Sequence, residues 1–402
     1  MILRRVTPKS VIISAYKPLN IIGIKLMIFI LLLLILLSML IIWRASNGFE
    51  AASAYLGHNF SDGVRGATIN AIGSSLPELL TVIIGLLLFI DKDGFAMGVG
   101  TTAGSAIFNS AVIPAAVIIT IITIGLATQA KVSKKVILRD GLWLIACEFA
   151  FIFMLSKGVM EWWHGLFLNL LYVGYIVFMF STMSRSEWTA HPEDEEEEDV
   201  GGSRPIALLT LDLQWAIFGN RRLNYSRAWL LLATAIIVIS LACWLLVETV
   251  YMFGDVLGIG VYFVAVILAA AATSVPDTIL SIKDAKAGEY DDALANALGS
   301  NIFDITICLG LPLMLFGLIY GEAITMLPES QGPITELRAL LLIFTIIAFS
   351  IYYFGQSMGK LKAFLLFCLY LAFVGYIVAS AYQVTFALEI GQFLQGIIQL
   401  MM

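Results

Sequence analysis

Charged side chains make up only 13% of the 402 residues, against roughly 25% in ordinary soluble domains. Hydrophobic residues make up 60%, and mean hydropathy is +0.94. That shortage of charge excludes a soluble globular protein, a disordered chain and a nucleic-acid binder. Cysteine is scarce too: Cys147, Cys243, Cys308 and Cys368 lie far apart in apolar stretches, and none forms a CxxC pair. Neither a disulfide framework nor a zinc site is indicated. Of the three histidines, His58, His164 and His191, all fall in expected loops or helix ends, as surface residues rather than ligands. No small-residue cleavage site follows a short apolar region near the N-terminus, so a signal peptide is not expected.

What is abundant is long apolar sequence. A bilayer-spanning helix needs about 20 mostly apolar residues. Ten such stretches are expected, at 23–44, 62–90, 95–126, 138–156, 162–183, 227–249, 258–283, 290–320, 336–354 and 361–382. The chain reads as an all-α multi-pass membrane protein in five parts. These are a basic N-terminal extension (1–22), a first set of five helices (23–184), a linker (185–226), a second set of five (227–383) and a C-terminal helix (384–402). The linker contains HPEDEEEEDVGG, a run of like charge followed by Gly-Gly, which is normally disordered and solvated. The last segment sets Glu389, Gln392, Gln395 and Gln399 at helical spacing among apolar residues, the pattern of a helix lying in the membrane interface. The tight cluster Lys131, Lys134, Lys135 and Arg139, with the basic residues of the other alternate loops, puts both termini outside and the linker inside. The N-terminal segment alone would argue the reverse.

The two halves repeat each other. GSSLPELL at 73–80 is followed by GSAIFN at 104–109, and ATSVPDTI at 272–279 by GSNIFD at 299–304. Five helices per half is an odd number, so the second half must enter the membrane upside down. Inverted repeats of this kind characterise secondary transporters, with the ion site at the repeat interface near the midplane. Pro77 and Pro276 each lack an N–H, so the carbonyls of Gly73 and Ala272 lose their helix partners. Free carbonyls inside a membrane are tolerated only beside protein, water or an ion. Ser74, Ser75 and Glu78 share one face of the first broken helix, and Thr273, Ser274 and Asp277 repeat the arrangement. Ser105 with Asn109, and Ser300 with Asp304, are i, i+4 pairs on the helices that follow. These are hard oxygen donors, suited to calcium, which takes 6–8 oxygens in flexible geometry, and to sodium. The set holds no nitrogen or sulfur donor, which argues against zinc or copper.

Blander explanations apply to some of these residues. A lone Ser or Thr in a membrane helix is usually bonded back to its own helix. A mid-membrane carboxylate is a different matter, because it costs a few kcal/mol to insert. An ion pair could account for Glu78, but Arg65 and Lys283 lie near helix ends, where they can snorkel. Glu148 and Glu248 sit in or near apolar helices with no motif around them; Glu248 with Asp255 is a loose candidate for an aqueous entrance.

At these motifs the sequence resembles the calcium/cation antiporter superfamily, the sodium/calcium exchangers, over effectively the whole membrane core. GVGTTAGSAIFN and GSNIFDIT look most like the potassium-dependent sodium/calcium exchangers. The resemblance implies a ten-helix inverted fold with both termini outside, and an oxygen-ligand set. In that set the acids are Glu78 and Asp277, the hydroxyls Ser74, Ser75, Thr273 and Ser274, and the backbone carbonyls Ala71 and Ala270. Ser105, Asn109, Ser300 and Asp304 complete it. Ser74 stands where many relatives have Thr, and Ala272 replaces a usual Gly. The pattern of proton-coupled exchangers, GN-x-x-E-H, is absent. The resemblance also implies that helices 1 and 6 slide or rock to expose the site alternately.

The expected function is therefore sodium-driven calcium antiport in the plasma (inner) membrane, with potassium as a further ion. There is no cofactor, no nucleic-acid partner and no enzymatic activity, and the monomer is the working unit. A passive cation channel, an exchanger for another divalent cation or for protons, and an intramembrane aspartyl hydrolase using Asp277 and Asp304 are the rivals. The hydrolase leaves Glu78 unexplained, and a channel needs no inverted repeat.

Overall fold

The computed structural model describes residues 21–56, 71–89, 92–155, 158–182, 207, 210–219, 221–325, 328–355 and 357–401. The basic N-terminal extension, apart from its last two residues, lies outside these, as do His58, Arg65, His191 and the acidic run of the linker.

Helices are found within each of the ten expected stretches, the first part of the second one, 62–70, lying outside the described residues. The first half comprises α1 (Ile21–Leu56), the short α2 (Ala71–Ser74), α3 (Leu76–Ile83) ending in a π turn (Ile84–Leu88), α4 (Lys92–Thr123), α5 (Lys134–Leu155) and α6 (Trp162–Thr182). A helical turn, α7 (Leu213–Phe218), precedes the second half. That half runs through α8 (Tyr225–Leu257), α9 (Val261–Val264), a π turn (Ala265–Ala269), α10 (Ala270–Thr273), α11 (Val275–Ala287) and α12 (Tyr290–Phe303). A third π turn (Asp304–Cys308) leads into α13 (Leu309–Tyr320), followed by α14 (Pro328–Tyr353), α15 (Lys360–Ala381) and α16 (Thr385–Met401). Among the described residues eight helices are long and apolar enough to cross a membrane. Two expected stretches fall short of that measure. Leu76–Leu88 is too short, and α5 carries Arg139, Asp140 and Glu148.

The linker is not wholly solvated. Asp212 caps α7, its side chain accepting from the Trp215 N–H at 3.0 Å. Leu213 packs beside Gly48 of α1, and Arg44 Nε donates to the Thr210 carbonyl at 2.6 Å. Asn224 then caps α8 by accepting from the Arg227 N–H. Polar side chains that satisfy the orphan N–H groups of a helix start explain why helices begin at Leu213 and Tyr225, ahead of the apolar stretch.

Contacts between the halves are reciprocal. α6 packs on α13, and its counterpart in the second half, α15, packs on α4; α1 packs along α8. Two small pairings obey the same exchange. β1 (Val159–Met160), before α6, pairs antiparallel with β2 (Ile324–Thr325), before α14. Ala130, before α5, bridges Met358, before α15. If the chain is threaded through ten successive spans, β1 and β2 lie on one face of the membrane and Ala130 and Met358 on the other. Three further contacts keep that parity: Tyr320 Oη with the Leu87 carbonyl, Lys283 with Glu50, and the Ser133 N–H with Asp291.

The buried apolar side chains fall into two clusters. The larger draws on α4, α5, α6 and α12 to α15. The smaller is built from the facing sides of α1 and α8 with the outer side of the broken helices, among them Leu76, Ile84, Ala265 and Ala272. The opposite side of α1 shows Leu26, Leu33 and Leu40 to its surroundings, as a lipid-facing surface does. α16 differs from the expected interfacial pattern in one respect. Gln395 turns inward and donates to Glu336 of α14 at 2.9 Å, while Ala387, Leu394 and Ile398 are buried and Glu389 and Gln392 stay exposed.

Candidate functional site

Each half breaks its second helix at the same place in the repeat. Ser75 separates α2 from α3 with φ −95°, ψ 7°, and Ser274 separates α10 from α11 with φ −80°, ψ 3°. These backbones fall in the sparsely populated bridge region, where many active-site residues sit. The break comes two residues ahead of Pro77 and Pro276, so each proline opens the downstream helix, where its missing N–H would be an orphan anyway. The first turn of each new helix carries the acid, Glu78 in α3 and Asp277 in α11.

The side chains converge as the repeat pattern requires. Ser74, Ser75, Glu78, Ser105, Asn109, Thr273, Ser274, Asp277, Ser300 and Asp304 are all buried, most of them completely. Ser105 of α4 lies at the centre. Its Oγ is 2.8 Å from Asp304 Oδ2, 2.9 Å from Ser274 Oγ and 3.4 Å from Glu78 Oε1. Asn109 Nδ2 donates to Ser105 Oγ and to Asp277 Oδ2, each at 3.3 Å. Ser300 donates to Asp277 Oδ1 at 2.7 Å, repeating within the second half what Ser105 does to Glu78 in the first. Ser74 faces Asp277 across the two breaks.

Each carboxylate thus meets hydroxyl or amide groups rather than a cation. The ion pairs among the described residues, Arg139–Asp140 and Lys283–Glu50, involve none of the three acids. Lys283, expected to snorkel, instead spans to Glu50 of α1 at 3.1 Å. Among the described residues no three acidic, histidine or cysteine side chains close into a ready-made metal cluster. The acids are spaced by Ser105, Ser274 and Asn109. Three buried oxygens of the group have no hydrogen-bond partner: Ser75 Oγ, Glu78 Oε2 and Asn109 Oδ1. A buried polar atom left unpaired costs about 1–3 kcal/mol. Here three of them belong to the same buried group of side chains as the three carboxylates.

Close approach of the two halves depends on Gly104. A Cβ there would run into the Val266 carbonyl oxygen and crowd Ala270. Its absence lets α4 lie against the π turn that feeds α10, which is how Ser105 reaches Ser274. Asn301 clamps the same seam, donating to the Ala106 carbonyl at 3.0 Å and to Ser110 at 2.7 Å. Asn301 and Ala106 occupy matching places in the two repeats.

The carbonyls of Ala71 and Ala270 were expected as donors through the family resemblance. Ala71 opens α2. Ala270 opens α10, and its carbonyl is engaged by the Ser274 N–H at 3.1 Å and the Thr273 hydroxyl at 3.3 Å. Thr273 also bonds the Ala269 carbonyl, so back-bonding to its own helix holds for this residue.

Two expectations are corrected. His164 is buried rather than on the surface; its Nδ1 accepts from the Glu161 N–H at 2.9 Å, closing the start of α6. Sulfur is present beside the oxygen set. Cys308, four residues after Asp304 in the third π turn, has its Sγ 3.6 Å from Asp304 Oδ1 and 3.7 Å from the Ser75 carbonyl. Cys243 of α8 donates to the Pro77 carbonyl at 3.6 Å. The i+4 spacing from Asp304 was the one sequence signal for Cys308. Of the loose candidates, Glu148 is buried against Thr345 in α14 at 2.6 Å, apart from the bonds just described; Glu248 is half-buried and Asp255 exposed. A cleft beside α1, walled by Asn47, Glu50 and Ser53, reaches Ser74 and Pro276.

The family model described as "Sodium/calcium exchanger protein" matches residues 30–181 and 227–379, one stretch in each half. The chain is similar to the sodium/potassium/calcium exchanger Nckx30C of Drosophila melanogaster, 33% identical over 150 residues, which is 37% of this chain and 17% of that protein. It is similar to sodium/potassium/calcium exchanger 1 of Mus musculus, 33% identical over 163 residues, 40% of this chain and 14% of that protein. The match therefore spans about a sixth of the length of these curated relatives. Among solved structures, the sodium–calcium exchanger NCX_Mj aligns with TM-score 0.52 and 21% identity over 87% of this chain and 99% of that one. The H+/Ca2+ exchanger CAX aligns with TM-score 0.56 and 13% identity over 97% and 95%. These two likenesses speak for the fold.

Proposed function

Because the chain belongs to the sodium/calcium exchanger family, we propose that it is a secondary antiporter moving calcium against sodium through the cluster around Ser105. The observation that carries this reading is the meeting of Glu78, Asp277 and Asp304 with the two helix breaks, all buried and free of cationic partners. Hard oxygens of this kind suit calcium and sodium as substrates. The ligand set is Glu78, Asp277, Ser74, Ser75, Ser105, Asn109, Thr273, Ser274, Ser300 and Asp304, with the carbonyls of Ala71 and Ala270. Calcium or several sodium ions neutralise the same acids, so their occupancy is exclusive and one gradient drives the other ion.

The reciprocal packing of the halves and the parity of their loop contacts support ten spans arranged as two inverted sets of five. α1 and α8 supply none of the ligands and share their own apolar cluster. They are the pair that shifts to open the site alternately. The plasma membrane is the proposed location and the monomer the working unit. Potassium, named for the curated relatives, is proposed here as a further transported ion. The test is sodium-gradient-driven calcium uptake in proteoliposomes of the purified protein. Uptake that follows the sodium gradient supports the exchanger; calcium leak indifferent to that gradient sinks it in favour of a channel.

A further inference from the structure

The thiol of Cys308 has no place in a hard-ion mechanism, yet it lies in the site's wall. The residue is fully buried. Its Sγ lies between the carboxylate of Asp304 on its own π turn and the carbonyl of Ser75 at the break of the other half, at 3.6 and 3.7 Å. π turns inside helices are frequent at functional sites. In this one the i+4 thiol lies against the acid's Oδ1, while Oδ2 stays with Ser105. The charges of Asp304 and Glu78 act on the thiol, and Ser75 Oγ and Glu78 Oε2 are fully buried with no hydrogen-bond partner. An ion drawn there by the three acids therefore meets sulfur as well as oxygen.

We infer that Cys308, with Asp304, Glu78 and Ser75, forms a mixed sulfur–oxygen subsite that makes this exchanger bind soft divalent cations of calcium's size more tightly than calcium itself. The inference rests on the reading of the cluster as a calcium site and adds a ligand class to it. Calcium and strontium are hard and gain little from sulfur, whereas thiolate ligands select softer metals. On entry of the soft ion the S–H bond is replaced by a sulfur–metal bond and the proton is released; no electron is transferred. Cadmium, close to calcium in size and thiophilic, is the probe.

The experiment is competition by cadmium or strontium against sodium-driven calcium uptake in proteoliposomes without thiol reductants. Wild type, Cys308→Ser and Cys368→Ser are compared; Cys368 is exposed, and its sulfur takes no part in the cluster. In wild type cadmium should inhibit at a concentration about tenfold or more below strontium, the scale on which groups tuning a metal site act. Cys308→Ser should bring cadmium to within a few-fold of strontium, and Cys368→Ser should leave the preference intact. A cadmium preference unchanged by Cys308→Ser, or absent from wild type, overturns the inference. A second readout is independent of transport. Cadmium added to the detergent-solubilised wild type should raise the ultraviolet charge-transfer band of a cadmium–thiolate bond, and Cys368→Ser should keep it. No band, or one lost with Cys368, also overturns the subsite. If wild type shows the band but no sodium-driven calcium uptake, the exchanger reading fails while the soft-metal site survives.

Discussion

Ser105 of the first repeat and Asp304 of the second share a 2.8 Å hydrogen bond across 199 residues of chain. The same hydroxyl lies 2.9 Å from Ser274 and 3.4 Å from Glu78, so one oxygen touches an acid from each half and the break of the second. An ion entering here must compete with Ser105 for both acids. The halves are thereby joined at the proposed site, and neither could rearrange these side chains without disturbing the other.

The acids give the most direct prediction. Glu78→Gln and Asp277→Asn keep the size of the side chain and remove the charge that balances a dication. Each should reduce sodium-driven calcium uptake to about the background of empty vesicles while the protein still elutes as a folded species. Normal uptake in both variants would rule out the site.

The two GS motifs look alike in sequence but should respond differently to alanine. At Gly104 a Cβ collides with the Val266 carbonyl; at Gly299 its nearest neighbour is Tyr175 Oη at 3.9 Å, an ordinary contact. Overpacking a well-packed interior costs about 1–3 kcal/mol. Gly104→Ala should therefore lower the unfolding temperature and cut uptake severely, because it lifts Ser105 off Ser274. Gly299→Ala should stay near wild type. Thermal unfolding and flux measured on the same preparations check this, and equal effects would contradict the seam described here.

Much of this is legible in the sequence, because a repeat and a membrane constrain the chain twice over. Glu78 and Asp277 stood out because an acid in an apolar stretch demands a reason, and the duplication named their partners. The position of the break was less legible: proline marks the neighbourhood, but the residue that leaves helical geometry is Ser75 or Ser274. Cys308 is signalled only by its i+4 spacing from Asp304, and spacing does not say that the Ser75 carbonyl of the other half lies against it. Helical spacing sets Gln395 among the polar positions of an interfacial helix, and spacing does not say that Glu336 waits opposite. The burial of His164 follows from a local bond to the Glu161 N–H, equally invisible to hydropathy.

Sidedness is open to a labelling experiment. Ten spans with both termini outside put Glu322, beside β2, on the outer face and Lys135, at the start of α5, on the inner one. Both are exposed. In a Cys368→Ser background, Glu322→Cys should react with a membrane-impermeant maleimide on intact cells, and Lys135→Cys only after permeabilisation. The opposite pattern would invert the orientation, and reaction of both from outside would break the parity of the loop contacts.

The proposed role of potassium turns on Asp304. Asn109 and Asp304 fill equivalent places, yet one is neutral and the other acidic, and Ser105 is the one partner they share. Asn109 donates to Asp277 and Ser105. Asp304 accepts from Ser105 at one oxygen and from Cys308 at the other. If Asp304 keeps its negative charge among these donors, it adds a charge beyond what calcium's two charges and the other two acids balance. A monovalent cation is the natural counterpart. If so, replacing choline by potassium should stimulate calcium flux severalfold in wild type, and Asp304→Asn should lose that stimulation while keeping the sodium dependence. Were Asp304 instead a protonated donor, flux would be equal in choline and potassium. The Asn variant would then differ little from wild type, because a neutral amide offers the same donor and acceptor pair. Measuring both proteins in both salts separates the two, since only the charged reading makes the potassium effect vanish with a single carboxylate.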